Sequence, residues 1–314
     1  MYIGIDLGGT NIAVGLVDDS GKILKSDSVP TLAQRDYKDI VKDMAELTMK
    51  VVKDAGLTMD DIKAVGLGAP GAIDSKNGIV ANSSNLPGFK MSPVVEEFKK
   101  YFDTPVSIEN DANAAAYGEY IATGVSSPSF IFITLGTGVG GGIVIDNKIY
   151  SGFNSLGGEI GHFTMIMDGE PCGCGNKGCW ETYASVTALI RQTKAAMEAH
   201  PESLMNKIAQ EDGKVSGRTA FKAEAQGDKV ATEVIDKYIE YVAAGIVSMI
   251  NIFQPEILVI GGGISKEGDR LLTPIKAYVE KLDYNRFMKK TEIRIAKLFN
   301  DAGIIGAALS AKNK

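Results

Sequence analysis

The sequence predicts an α/β protein of two lobes, and three observations lead to this prediction. The chain has 314 residues, enough for two lobes at about 100–200 residues per domain. Hydrophobic residues make up 45% of the chain, which can fill a substantial core in each lobe. A strand, a glycine-rich turn and a second strand occur at the N-terminus, and the same arrangement recurs about 130 residues later.

The first copy of this arrangement begins with a β pattern from Tyr2 to Asp6 and returns as a strand from Ile12 to Val17. The turn between the strands reads D-L-G-G-T-N. Backbone N–H groups in a concave glycine turn can bind phosphate oxygens. Glycine turns are also common in hairpins that bind nothing, so the turn alone leaves both interpretations open.

The second copy lies at residues 130–146 and reads F-I-F-I-T-L-G-T-G-V-G-G-G-I-V-I-D. It contains the pattern G-x-G-x-x-G, but a dinucleotide-binding fingerprint should open a helix. Here the glycines lead into the β pattern from Ile143 to Ile145, and the chain has no Walker A sequence. We therefore predict a second hairpin with a phosphate-sized turn.

Hydrophobic periodicity places the remaining major elements. Helices are predicted over residues 36–55, 185–199, 229–251 and 302–311. Strands are predicted over residues 64–67, 105–109, 256–260 and 292–298, and the charged stretch 213–228 is interpreted as a connector of short helices.

Three polar or glycine-rich segments follow predicted strands and admit two interpretations each. Asp111 lies at a strand-to-helix junction, where spacing alone favours a helix N-cap. The loop Asn82–Gly88 carries amides and hydroxyls that suit sugar hydroxyls and plain turns alike. The run Gly261–Gly263 ends a strand, and a simple turn is as compatible with it as a ligand contact.

All three cysteines, Cys172, Cys174 and Cys179, lie within eight residues, and His162 precedes the first of them by ten. Three thiolates and one imidazole supply the four ligands of a closed tetrahedral zinc site. A disulfide would use two cysteines and strand the third. Because four protein ligands leave no position for water, we predict a structural zinc ion that holds this loop and the carboxylates at its ends.

Charge and composition exclude several classes of partner. The net charge of −6 argues against a surface for nucleic acid or an anionic membrane. No apolar run reaches the ~20 residues of a membrane span, and the N-terminus shows no signal-peptide pattern. Free thiols as metal ligands fit a reducing compartment. We expect a cytoplasmic protein without nucleic-acid or membrane partners.

The segment from Gly161 to Glu181 resembles the signature of the ROK family (repressors, open reading frames and sugar kinases). Gly161 and His162 are followed after nine residues by C-x-C-G-x-x-G-C-x-E, without a gap. The run N-L-P-G at residues 85–88 is similar to the sugar loop of ROK glucokinases. Tryptophan often follows it in that family, and Phe89 stands here, which changes stacking bulk and leaves the polar chemistry unchanged.

The resemblance implies the fold of actin-like ATPases, also called ribonuclease H-like, in its sugar kinase form. Two half-domains that each offer a phosphate hairpin are typical of that fold. We expect an interlobe cleft and a zinc loop in the larger lobe. The small lobe is predicted to comprise residues 1–110 with 301–314, and the large lobe residues 111–300.

The resemblance also implies ATP-dependent phosphorylation of glucose at the 6-hydroxyl, the entry to glycolysis. Asp111 is then the catalytic base that accepts the hydroxyl proton, and Asp6 orients water around Mg²⁺. The implied sugar-binding residues are Asn85, Asn110, Asp111, Glu159, His162 and Glu181. The implied nucleotide-binding residues are Asp6, Gly8, Gly9, Thr10, Asn11, Thr137, Gly138, Gly140, Gly261, Gly262 and Gly263.

Other functions remain open at this stage. A ROK kinase can act on N-acetylglucosamine, N-acetylmannosamine, mannose or fructose. A sugar-responsive repressor of the family would need a DNA-binding segment ahead of the first strand, and we expect none because that strand begins at Tyr2. A non-catalytic sugar-binding protein would not need two phosphate turns. We expect the protein to form a homodimer or homotetramer.

Overall fold

The computed structural model describes residues 1–124 and 127–312. The strands are β1 (Tyr2–Leu7), β2 (Asn11–Val17), β3 (Ile23–Pro30), β4 (Ala64–Ala69), β5 (Ala72–Asp74), β6 (Ile79–Asn82), β7 (Lys90–Ser92), β8 (Val106–Asn110), β9 (Ser129–Leu135), β10 (Val139–Ile145), β11 (Lys148–Ile149), β12 (Ile257–Gly261) and β13 (Glu292–Ile295). The α-helices are α1 (Tyr37–Asp54), α2 (Val94–Phe98), α3 (Asp111–Thr123), α4 (Glu181–Ala184), α5 (Val186–Ala199), α6 (Leu204–Glu211), α7 (Thr219–Glu224), α8 (Lys229–Phe253), α9 (Asp269–Leu282) and α10 (Ala302–Ala311).

Two mixed five-stranded sheets organise the chain. The first has the order β3-β2-β1-β4-β8, in which β1 pairs antiparallel with β2 and parallel with β4. The second has the order β11-β10-β9-β12-β13. Each sheet contains one of the two predicted hairpins, so the repeated strand–turn–strand arrangement is confirmed. The sequence patterns did not predict the small antiparallel sheet of β5, β6 and β7.

The chain divides into two compact units. Unit 1 comprises Met1–Phe132, Gly142–Gly158 and Lys297–Lys314, and unit 2 comprises Ile133–Gly141 and Glu159–Ala296. Helix α3 belongs to unit 1, whereas the predicted domain division assigned it to the large lobe. The physical reason is its packing, because α3 lies against α10 in the same unit.

Helix α1 shows how the sequence pattern becomes the core of unit 1. Asp36 caps its N-terminus by accepting a hydrogen bond from the backbone N–H of Lys38. The apolar stripe that predicted this helix is buried, including Ile40, Val41 and Met44 at 0% exposure. These side chains pack with those of β1, β2 and β4 in one continuous cluster, so periodicity alone located this helix to within one residue.

Helix α10 approaches the backbone of three other elements very closely. A Cβ atom at Gly4 of β1 or at Gly66 of β4 would lie 1.9 Å from a carbonyl oxygen of α10. A Cβ at Gly118 of α3 would lie 2.3 Å from the carbonyl oxygen of Ala302. Only glycine at these positions lets the helix backbone reach the sheet and α3.

In unit 2, the fully buried Trp180 connects α8 to the cysteine loop. Its indole N–H donates to the carbonyl oxygen of Tyr241 at 2.8 Å. Gly245 of α8 provides the space, since a Cβ there would lie 1.9 Å from the indole ring. Among residues 1–124 and 127–312, no helix combines the length and the apolarity needed to cross a membrane.

The buried carboxylate of Glu119 on α3 fixes the segment that leads into α10. Its two oxygens accept the backbone N–H groups of Lys297 and Leu298 at 2.9 and 2.7 Å. The side chain is only 2% exposed, so water cannot replace these bonds in the folded protein.

We expect Glu119→Gln to lower the free energy of unfolding by about 1–3 kcal/mol, because the new amide NH₂ would face one of the two buried N–H donors. Thermal or urea unfolding measures the loss. Glu46→Gln, on the exposed face of α1, is the matched control and should change stability by less than about 0.5 kcal/mol. Equal effects of the two substitutions would contradict the role given to Glu119.

Candidate active site

Two carboxylates, Asp6 and Asp111, interact electrostatically in unit 1. Burial, together with the negative charge of Asp111, raises the pKa of Asp6 to about 6. Burial also raises the pKa of Asp111, and the hydrogen bond from the Ala112 N–H opposes this rise. Asp6 lies against the start of α10, since a Cβ at Gly303 would be 2.7 Å from its Oδ2 atom. A partly buried pair of acids of this kind suits a cation or a proton-transfer site.

The interpretation of Asp111 as a helix cap is wrong, because Asn110 occupies that position. The Oδ1 atom of Asn110 accepts the N–H groups of Ala112 and Asn113 at 2.9 and 3.2 Å. Its Nδ2 donates to the carbonyl oxygen of Gly71 at 3.2 Å. Asp111 is the first residue of α3, so its carboxylate is not needed as the cap.

Sequence reasoning missed Glu109, whose carboxylate accepts hydrogen bonds at the junction of β8 and α3. Glu109 is 4% exposed, and its Oε1 accepts the Asn110 N–H at 3.1 Å and the Asn113 side-chain amide at 3.2 Å. A buried acid one position before the N-cap could have been noticed, because buried carboxylates require hydrogen-bond donors.

The first glycine turn, Gly8–Asn11, closes with a hydrogen bond from the Gly8 N–H to the carbonyl oxygen of Asn11 at 2.9 Å. Thr31, which the sequence analysis did not single out, contacts this turn twice. Its hydroxyl donates to the Gly8 carbonyl at 2.7 Å, and its N–H donates to the Thr10 carbonyl at 2.8 Å. The predicted nucleotide residues Gly8 to Asn11 therefore form one turn with a fixed backbone.

The predicted sugar loop packs against the first glycine turn. A Cβ at Gly9 would lie 3.3 Å from both the Cβ and the carbonyl oxygen of Asn85. Leu86 and Phe89 are fully buried, and Phe89 meets Tyr37 edge-on with ring centroids 6.0 Å apart. Phe89, which stands where the family often has tryptophan, is buried inside unit 1 and anchors the loop there.

The second glycine turn lies in unit 2 and is held by the start of α5. The Gly136 N–H donates to the Gly138 carbonyl at 3.0 Å. The Val186 N–H donates to the Gly136 carbonyl at 2.8 Å, and the Thr187 hydroxyl donates to the Thr137 carbonyl at 2.7 Å. Gly140, the remaining predicted residue of this turn, lies in β10.

The carboxylate of Glu181 joins the second glycine turn to the cysteine loop. Its Oε2 accepts the Val139 N–H at 2.9 Å, and its Oε1 lies 3.7 Å from Cys172 Sγ. A Cβ at Gly138 would lie 2.1 Å from Oε2, so glycine is required beside this carboxylate. Glu181 therefore has a structural role, connecting the turn to the loop, in addition to its predicted contact with sugar.

The four predicted zinc ligands converge in unit 2. The ligand atoms of His162, Cys172, Cys174 and Cys179 all lie within 4.8 Å of one another. His162 Nδ1 is 3.6 Å from Cys172 Sγ, and the Sγ atoms of Cys174 and Cys179 are also 3.6 Å apart. Ligands around a tetrahedral zinc ion are separated by roughly 3.5–3.8 Å, given Zn–S and Zn–N bonds of about 2.3 and 2.0 Å. The donor set and its spacing fit zinc.

Backbone hydrogen bonds also shape the cysteine loop. The Cys172 N–H donates to the Asn176 carbonyl at 2.8 Å, and the Gly178 N–H donates to the Glu170 carbonyl at 2.8 Å. Glu159 is exposed, and its carbonyl oxygen accepts the His162 N–H at 3.1 Å. The loop therefore places Glu159 one short turn from His162.

The glycine run after β12 contains one residue that only glycine readily accommodates. Gly262 has φ = 86°, and a Cβ there would lie 2.2 Å from the carbonyl oxygen of Leu135. Gly263 has open space around the position of a Cβ atom. The run packs closely on β9 at its centre, and its predicted contact with adenosine stays a prediction.

Unit 1 thus brings together Asp6, Gly8–Asn11, Asn85, Asn110 and Asp111, and unit 2 brings together Thr137–Gly140, Glu181 and the cysteine loop. Sequence reasoning missed Thr31, Glu109, Asn113, Val186 and Thr187. No periodicity or motif marks Thr31, Val186 and Thr187, because each acts through a hydrogen bond to a residue distant in the chain.

We expect purified protein to contain one zinc ion per chain by elemental analysis. Cys174→Ser should lose the metal, because a serine hydroxyl is a poor zinc ligand, and the loop that carries Glu181 should loosen. Lys177→Ala, on the same loop, is the control and should keep the zinc. Active, freshly purified protein without zinc would contradict the site.

The raised pKa of Asp6 predicts that Asp6→Asn increases the free energy of unfolding by an amount that depends on pH. The folded state holds the proton up to about pH 6, whereas the unfolded chain releases it near pH 4. The stability of the wild-type protein therefore falls as the pH rises from about 4 to about 6, and the loss is complete above about pH 6.

Without nucleotide or divalent cations, Asp6→Asn should raise the free energy of unfolding at pH 8 by about 1–3 kcal/mol. At pH 4 the gain should fall to about 0.5 kcal/mol or less, since Asp6 is then neutral in the folded state and only about half ionised in the unfolded chain. Thermal unfolding at the two pH values measures this difference, with the exposed Asp39→Asn as control. The same shift at both pH values would show that the charge of Asp6 is not the cause.

The chain was compared with known families and proteins. It matches the ROK family over residues 2–314. A glucokinase from Thermotoga maritima is 37% identical over 313 residues, which cover 99% of this chain and 97% of that protein. A xylose repressor from Caldicellulosiruptor bescii is 29% identical, over 97% of this chain and 76% of the repressor.

A solved structure shows the same fold. The ROK family glucokinase from Streptomyces griseus, in complex with glucose and AMPPNP, has a TM-score of 0.82 at 35% identity, with 100% of this chain and 99% of that chain covered. The predicted α/β sugar kinase fold is thereby confirmed. The uninterrupted signature from Gly161 to Glu181 and the match over residues 2–314 establish that this chain belongs to the ROK family.

Proposed function

We propose that the protein is an ATP-dependent glucokinase that converts glucose to glucose 6-phosphate. The observation that carries the proposal is the carboxylate of Asp111, placed at the start of α3 beside Asp6 and released from capping by Asn110. The support from relatives is the near full-length similarity to glucokinases, one of which binds glucose and AMPPNP. A base, a second acid and two glycine turns are the components that phosphoryl transfer to a hydroxyl requires.

Asp111 acts as the base in this proposal. It accepts the proton of the 6-hydroxyl while that oxygen attacks the γ-phosphorus of ATP. Burial raises the pKa of Asp111, which makes the carboxylate a better proton acceptor than an exposed aspartate. Asn110, through the second hydrogen of its Nδ2, and Asn85, beside the first glycine turn, contact the sugar hydroxyls.

The two glycine turns bind the phosphates through backbone N–H groups, and the run Gly261–Gly263 approaches the adenosine. Asp6 orients water around a Mg²⁺ ion that accompanies ATP, since Mg²⁺ in such sites keeps several waters. The fit rests on the proximity of Asp6 and Asp111, because two partly buried carboxylates are stabilised by a nearby cation. When bound, such an ion would neutralise charge on the phosphates.

Zinc is structural in this proposal and is held by His162, Cys172, Cys174 and Cys179. With Nδ1 of His162 directed at the cysteines, its Nε2 carries the hydrogen and donates to the sugar. Glu159 and Glu181 accept hydrogen bonds from neighbouring sugar hydroxyls. For Glu181 this requires the lone pairs that its bond to Val139 leaves unused.

The remaining parts of the proposal concern the setting of the enzyme. We place it in the cytoplasm at the entry to glycolysis, as a homodimer or homotetramer. The alternative within the class is a kinase for N-acetylglucosamine, N-acetylmannosamine, mannose or fructose. The alternative outside the class is a sugar-sensing regulator, which the similarity to a xylose repressor keeps in view.

ADP release with a panel of sugars tests the proposal directly. The panel comprises glucose, mannose, fructose, N-acetylglucosamine and N-acetylmannosamine. A higher kcat/KM for glucose than for every other sugar supports glucokinase. A higher value for another sugar refutes glucokinase and retains the kinase class. Sugar binding without ADP release from any member favours the regulator.

We expect Asp111→Asn to lower kcat by at least about 10²–10⁴-fold, the usual contribution of a positioned acid or base. Asparagine keeps the size and can hydrogen-bond the sugar, but it cannot take the proton. Glucose affinity should change far less, and the melting temperature should hold because Asn110 caps α3. Asp39→Asn, at an exposed position of α1, serves as the matched control. Near-normal kcat in Asp111→Asn would remove this residue from the mechanism.

A further inference from the structure

Thr31 holds the first glycine turn, although it lies outside every motif of the sequence. Its side chain has 0% exposure. The hydroxyl donates to the Gly8 carbonyl at 2.7 Å, and the backbone N–H donates to the Thr10 carbonyl at 2.8 Å. Two carbonyls of the turn are therefore directed toward the interior of unit 1.

Thr187 does the same for the second glycine turn in unit 2. Its hydroxyl donates to the Thr137 carbonyl at 2.7 Å, and the N–H of the preceding Val186 donates to the Gly136 carbonyl at 2.8 Å. Each glycine turn of the internal repeat thus has one threonine hydroxyl and one backbone N–H bound to its carbonyls.

Because of the geometry of the peptide bond, these contacts also fix the directions of two N–H groups. A trans peptide is planar, so its C=O and N–H point in opposite directions. None of the described peptide bonds is cis. When Thr31 holds the Gly8 carbonyl, the Gly9 N–H of the same peptide points to the other side of the turn. By the same argument, Thr187 directs the Gly138 N–H away from α5.

We propose that Thr31 and Thr187 are positioning residues that fix the Gly9 and Gly138 N–H groups as donors to the phosphates of the nucleotide. The inference rests on the proposed function, because ATP supplies those phosphates. A turn free to flip its peptides would present carbonyl oxygens, which repel phosphate. Each threonine hydroxyl disfavours the flipped peptide, because its hydrogen bond holds the carbonyl oxygen on the side away from the phosphates.

Two other threonines provide matched controls. Thr48 on α1 and Thr193 on α5 are fully buried, and their hydroxyls donate to carbonyls within their own helices at 2.8 and 2.7 Å. They share the chemistry of Thr31 and Thr187 but touch no glycine turn. Thr193 also lies in the same helix as Thr187, so it reports on the stability of α5.

The experiment replaces each threonine by valine, which keeps the shape and removes the hydroxyl, and by serine, which keeps the hydroxyl. Isothermal titration measures the Kd for AMPPNP, and steady-state assays measure the KM for ATP and for glucose. We expect Thr31→Val and Thr187→Val each to raise the Kd for AMPPNP and the KM for ATP about 10-fold. Each substitution removes one hydrogen bond that fixes the turn, and the loss of one hydrogen bond implies a change of this size.

Thr31→Ser and Thr187→Ser should restore nucleotide binding to within about 3-fold of wild type, and the KM for glucose should stay within about 3-fold in all variants. Thr48→Val and Thr193→Val should lower the melting temperature without raising the Kd for AMPPNP. Since Thr187 is exposed, its variants keep the test valid even if Thr31→Val fails to fold.

The outcomes separate this inference from the proposed function. Unchanged AMPPNP affinity in Thr187→Val, or an equal loss in Thr193→Val, overturns the positioning role whatever the sugar preference. No AMPPNP binding by the wild-type protein overturns it as well. If wild-type protein binds AMPPNP but phosphorylates no sugar, the glucokinase proposal fails, and a 10-fold loss in the valine variants still supports the positioning role.

Discussion

The close approach of α10 to its neighbours is the constraint on which unit 1 depends. Its backbone carbonyls lie where Cβ atoms would stand at Gly4 and Gly66 on the sheet and at Gly118 on α3. Gly4 precedes Asp6 by two positions, and Gly118 lies two turns beyond Asp111. Packing of α10 therefore holds together β1, which carries Asp6, and α3, which carries Asp111.

In unit 2, the carboxylate of Glu181 contacts both the second glycine turn and the cysteine loop. Glu181 accepts the Val139 N–H at the end of the second glycine turn and lies beside Cys172 of the metal cluster. Buried Trp180 fixes the adjacent position against α8. Gly161, next to His162, also packs on the backbone of Val139, since a Cβ there would lie 2.0 Å from the Val139 carbonyl oxygen. The cysteine loop and the second glycine turn are therefore best regarded as one structural element.

Burial affects the acids of unit 1 in different ways. Burial raises the pKa of both Asp6 and Asp111, which means that their ionised forms cost folding free energy at neutral pH. Glu119, by contrast, meets two backbone N–H groups and stabilises the fold. The two oxygens of Glu119 each accept a backbone N–H group, whereas burial disfavours the ionised forms of Asp6 and Asp111.

The sequence by itself determined the elements whose signal is local. Periodicity located α1, α5, α8 and α10, the repeated hairpins located both glycine turns, and the spacing of His162 and the cysteines predicted a cluster that the fold brings together. It did not predict α9 or the sheet of β5, β6 and β7, and it extended β13 by three residues beyond Ile295. The tertiary structure alone decided that Glu181 reaches Val139 and that Thr31 and Thr187 hold the turns. These contacts join residues distant in the chain or in separate elements, and a hydrogen bond of that kind leaves no periodic trace in the sequence because it depends on where packing places its two partners.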